Sequence, residues 1–94
     1  MKIILLDGEK IKSKSDVHAA FAEALSFPEY YGNNLDALHD MLTEGKDEIG
    51  VICVNVGALS ENLGKWWKSL LRLLHDVSDE REGFHLCIDP FVEA

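Results

Sequence analysis

Three short apolar runs separated by stretches of helical periodicity constrain this chain more than any other feature. They are residues 2–6 (KIILL), 49–56 (IGVICVNV) and 84–88 (FHLCI). The first is a continuous aliphatic run closed by the turn dipeptide Asp7-Gly8, which predicts a strand buried on both faces, as in a parallel sheet. The second is rich in β-branched residues, as buried strands are. Between them, Ser13 or Ser15 caps a helix with Asp16 in its first turn. Val17, Ala20, Phe21, Ala24 and Leu25 form its apolar stripe, and Pro28 stops it. Asn33 or Asn34 caps a second helix, in which Leu35, Leu38 and Leu42 share one side with Met41 nearby. A charged loop at 44–48 leads to the second strand, and residues 58–63 form a short helix ended by Gly64. The longest helix spans 65–79, with Trp66, Leu70, Leu73, Leu74 and Val77 as its core stripe and Trp67 and Leu71 widening it. Asp89-Pro90 ends the third strand. Strands joined by helical crossovers predict an α/β fold, a small parallel sheet with right-handed connections packed by three to four helices. Ninety-four residues hold one domain, 1–94.

Composition narrows the function. Seventeen acidic against nine basic residues give a net charge of −8. Such a field repels nucleic acid and anionic membranes and attracts basic partners. The basic stripe that direct nucleic-acid binding requires is missing. The aliphatic run near the start is too short for a signal-peptide core or a membrane span, which makes the cytoplasm the default location. Cys53 and Cys87 sit inside apolar runs without metal-ligand spacing and read as buried thiols.

The densest chemistry lies in residues 28–40, PEYYGNNLDALHD. Asp36 and Asp40 stand four residues apart on the second helix, where like charges repel by a few tenths of a kcal/mol. A helix selected for stability alone favours a lysine at one of those positions. The pair therefore marks a negative face kept for a binder. Tyr30 beside it belongs to a class enriched at interface hot spots. Tyr31 is nearer the helix cap and takes the structural role, leaving Tyr30 exposed. An enzyme is the weaker reading. Asp36, His39 and Asp40 could ligate the metal of a hydrolase only with help from another element. His18, His75 and His85 are scattered singles, and the glycines are isolated rather than gathered in a phosphate loop. No cofactor or metal is expected.

PEYYGNNLDALHD closely resembles the signature of the barstar family of intracellular ribonuclease inhibitors. The likeness extends over the opening strand, the Asp7-Gly8-Glu9 turn, the Ser-Asp entry to the first helix, and the closing helix and strand. The resemblance implies a three-stranded parallel sheet in the order 2-1-3, with the first strand in the middle. It implies an inhibitor of a basic, barnase-like ribonuclease, whose active site is plugged by the second helix and the preceding loop in a 1:1 complex with a monomer. In that reading Asp40 replaces substrate phosphate, Asp36 supports it one turn earlier, and Tyr30 packs on an active-site side chain. Gly32, Asn34 and Ala37 line the same surface, and Asp76 matches an acidic contact on the last helix. Arginine pairs carboxylate and phosphate with nearly the same bidentate geometry, which makes the substitution physically sound. The chain departs from the family prototype at His39, where a tryptophan is expected, and in the 44–48 loop, which lacks aromatic residues. The alternative is a barstar-fold module that binds a different toxin or a regulatory protein. The 2-1-3 order also implies that the second and third strands lie ~9.6 Å apart, too far for Cys53 and Cys87 to form a disulfide.

Overall fold

A computed structural model describes residues 1–89. Its elements run β1 (Lys2–Asp7), α1 (Lys14–Leu25), α2 (Leu35–Glu44), β2 (Ile49–Val54), α3 (Val56–Leu63), α4 (Lys65–Glu80) and β3 (Phe84–Ile88). Three parallel strands and four helices make the expected α/β fold. Ser13 caps α1, its side chain accepting from the Asp16 amide, and Ser26 closes the helix in the left-handed region. Of the two asparagines before α2, Asn34 is the cap, while Asn33 takes a positive φ of 52°. Asn55, the third non-glycine residue with a positive φ, turns the chain at the end of β2, and α3 begins at Val56, two residues earlier than the sequence pattern suggests. Pro90, expected to end the third strand with Asp89, lies outside the described residues.

The strand order is β1-β2-β3, which corrects the expected 2-1-3: the second strand, not the first, is central. Consecutive strands usually lie beside one another, and parallel crossovers are almost always right-handed. Two right-handed crossovers moving in one direction place both sets of helices on the same face of the sheet. An order of 2-1-3 reverses direction and covers both faces. Burial follows the single-face arrangement. Ile4 and Leu6 are buried, whereas Ile3 and Leu5 are about half exposed, at 48% and 52%. The expectation that KIILL is buried on both faces is therefore corrected too. β2 is the most enclosed strand, as its central place requires.

Strand register also changes the reading of the cysteines. Cys53 lies opposite Ile88, and Ile52 opposite Cys87. Residues paired across a parallel ladder share a face, and neighbours along a strand alternate. The two thiols thus sit on adjacent strands but on opposite faces. Both are free, Cys53 buried and Cys87 exposed, so Cys87 is not the packed thiol its apolar run suggests. Burial pushes the Cys53 thiol up to about 12.

The core gathers between the sheet and the helices: Phe21 of α1, Leu38 and Leu42 of α2, Leu59 of α3, and Leu70, Leu74 and Val77 of α4, all fully buried. On α4 the tryptophans exchange their expected parts. Trp67 is buried with Leu70, Leu74 and Val77, while Trp66 is only partly covered. Gly8, at the turn after β1, is held by close packing. A Cβ there would run into the carbonyl oxygen of Asn55, the Ala58 side chain and the Leu59 amide. No helix among the described residues is long and apolar enough to cross a membrane.

Candidate functional site

The stretch between α1 and α2 is held from beneath by Tyr31. Its ring packs on Phe27, with centroids 4.7 Å apart, and its hydroxyl lies 2.6 Å from Nδ1 of His18. His18 is itself buried and meets the edge of Trp66 at 5.6 Å. Burial pushes the Tyr31 hydroxyl up to about 12 and holds His18 below its usual 6.5, so this pair is neutral at pH 7. Tyr31 has the structural role expected of it. Tyr30, by contrast, is 86% exposed.

The turn into α2 is fastened by Asn34 at both ends of its amide. Oδ1 accepts from the Ala37 amide at 2.8 Å, and Nδ2 donates to the Gly32 carbonyl at 3.3 Å. Gly32 is tight against this cap, since a Cβ there would stand 3.0 Å from Asn34 Nδ2. Asp36 occupies the first turn, where the helix dipole favours a carboxylate. Asp36 and Asp40 are both exposed, and neither joins an ion pair among the described residues.

Two grooves flank the ridge of α2, and between them they contain seven of the eight residues singled out from sequence. Tyr30, Gly32, Ala37 and Asp40 line the groove on the loop side, together with Tyr31, Met41 and Glu44. Asp36 and His39 line the groove on the α4 side, together with Asp76, Arg72, Ser69, Leu35 and Leu73. Asn34, the eighth, caps the helix between them. The residues are therefore neighbours on one surface, divided by the helix into two flanks rather than gathered in one pocket.

Sequence reasoning missed Glu80. Its carboxylate holds His39, with Nε2 at 2.7 Å from Oε2 and 3.1 Å from Oε1. The available signal was spacing: Glu80 follows Asp76 by four residues and so lies on the same side of α4. Arg72, four residues before Asp76, shares that side and was missed for the same reason. Among the described residues no three His, Cys, Asp or Glu side chains are grouped to hold a metal ion.

The molecule is a two-layer α/β domain in which a capped helix, α2, carries exposed carboxylates beside an exposed tyrosine. Residues 1–89 match the model of the family described as Barstar (barnase inhibitor), and the chain belongs to that family. It is also similar to a protein of Bacillus subtilis (strain 168) named "Putative ribonuclease inhibitor YrdF". The two are 30% identical over 91 residues, which cover 95% of this chain and 100% of the relative.

Proposed function

We propose that this protein inhibits a basic, barnase-like ribonuclease by seating α2 and its preceding loop in the enzyme's active site. Membership of the Barstar family and the relative's name support the inhibitor role rather than a catalytic one. The observation that carries the mechanism is the pair of exposed carboxylates, Asp36 and Asp40, on one helix, neither of which joins an ion pair among the described residues. In this reading the Arg and Lys groups that hold substrate phosphate meet Asp40 first and Asp36 beside it. Tyr30 contributes an apolar ring that loses little conformational freedom on contact. Gly32 and Ala37 let the enzyme surface approach the helix closely, and Asp76 extends the acidic surface onto α4. The complex is 1:1 with a monomeric inhibitor, which acts in the cytoplasm where it meets any ribonuclease retained before export.

The test is inhibition of purified barnase by the parent protein and by Asp40→Ala. Removing one side of a buried, hydrogen-bonded interfacial charge pair costs about 2–5 kcal/mol, a scale drawn in part from the barnase–barstar complex itself, so the loss should exceed ~30-fold. The variant should keep the parent's circular dichroism and urea midpoint, because Asp40 is exposed. Equal inhibition by parent and variant would remove Asp40 from the mechanism.

A further inference from the structure

We propose that Glu80 is a positioning residue for partner binding: it draws the His39 ring across onto α4, away from the groove lined by Tyr30 and Asp40. The proposal rests on the reading of α2 as the binding face. Its structural basis is the contact of Nε2 with both carboxylate oxygens of Glu80, at 2.7 and 3.1 Å. His39 lies between the two carboxylates of α2, three residues after Asp36 and one before Asp40. It is only half-buried and so is open to solvent protons.

The consequence concerns what a partner meets on this face. The charged groups around His39 are Asp36 and Asp40 from its own helix and Arg72, Asp76 and Glu80 from α4, the helix packed against it. Glu80 is the group that bonds the ring directly. In the neutral ring, Nε2–H donates to Glu80, which selects one tautomer and turns the ring away from the groove lined by Tyr30 and Asp40. In the imidazolium the same contact is charge-assisted. Glu80 thus fixes the ring on the α4 flank and leaves the Tyr30–Asp40 flank open to a partner.

Two measurements test this. Ring nitrogen chemical shifts of His39 at pH 8 should show an excess of the Nε2–H tautomer in the parent and a smaller excess in Glu80→Gln. An unchanged tautomer ratio would overturn the positioning role, and this measurement requires no partner. The second is a double-mutant cycle on barnase affinity at pH 8. Glu80→Gln should weaken binding about two- to fivefold, the scale of a surface ion pair, and by less when His39→Gln is already present. Equal affinity of parent and Glu80→Gln, or a loss that is just as large without His39, would overturn it. If the parent does not bind barnase, the ribonuclease reading of this face fails, and the tautomer ratio alone decides whether Glu80 positions His39.

Discussion

His18 and Tyr31 show how much the loop before α2 depends on two residues packed beneath it. His18 is buried, its Nδ1 is bonded to the Tyr31 hydroxyl, and Tyr31 packs against Phe27 directly before the loop enters α2. Burial disfavours the imidazolium, and His18 accordingly holds a proton less readily in the folded chain than in the unfolded one. Its folded pKa is below its unfolded value, so the unfolded state binds the extra proton first as pH falls. Stability from this residue is therefore complete above about 6.5, the unperturbed histidine value, and declines as pH drops from there toward the lowered folded pKa. Urea midpoints measured between pH 7.5 and pH 5 should fall over that window. In His18→Asn, whose amide occupies the place of Nδ1 but does not titrate, the part of the slope due to this residue should disappear. An identical pH profile in the two proteins would show that another group controls acid sensitivity. The assignment of Tyr31 as support and Tyr30 as the free ring was legible in the sequence from their distances to the cap. The partner of Tyr31 was not, because a histidine thirteen residues away on another helix leaves no local pattern.

At the level of elements, periodicity located the strands and helices and then stopped short of arranging them. The α2 leucines, the caps at Ser13 and at one of two asparagines, and the three apolar runs all came through because each is a local preference of the chain. The strand order did not. A run such as KIILL reports that it is apolar, not which strand lies beside it or whether both its faces are covered, and half of its large side chains proved to face outward. The exchange of Trp66 and Trp67 has a similar cause, since adjacent tryptophans both fit a wide apolar stripe and only the packed neighbours choose between them. The alternation on β2 and β3 has a chemical consequence that can be measured. Cys53 points into the core and its thiol is held near 12, whereas Cys87 is exposed on the outer face. A buried, protonated thiol is inert toward disulfide reagents, so the native protein should react with about one equivalent of a chromogenic disulfide and with two only after unfolding. Two equivalents in the native protein would mean that β2 is not enclosed as described.

For the whole molecule, a net charge of −8 on ninety-four residues is a long-range property that no single contact reveals. The candidate site was legible in the sequence because its carboxylates are close together along one helix. The opposing flank is assembled by the packing of α4 against α2: Asp76 was singled out through the family resemblance, whereas Arg72 and Glu80 required the fold. Around this site the acidic surplus acts at distances beyond hydrogen bonding, and salt weakens it as the screening length shrinks from ~10 Å at 0.1 M toward ~3 Å at 1 M. Charges of this kind act chiefly on diffusional encounter, while close contacts in the formed complex hold the partners together. The association rate with a basic ribonuclease should therefore fall by about tenfold or more between ~0.05 and ~0.5 M salt, with a much smaller change in the dissociation rate. Neutralising exposed carboxylates outside the two grooves, such as Glu23 and Glu61, should lower the low-salt association rate in proportion to the charge removed and leave dissociation nearly as it was. Stopped-flow association with surface-plasmon dissociation separates the two rates. An association rate indifferent to salt, with the loss of affinity residing in dissociation, would mean that the charge of the molecule serves solubility and that only the carboxylates on α2 recognise the enzyme.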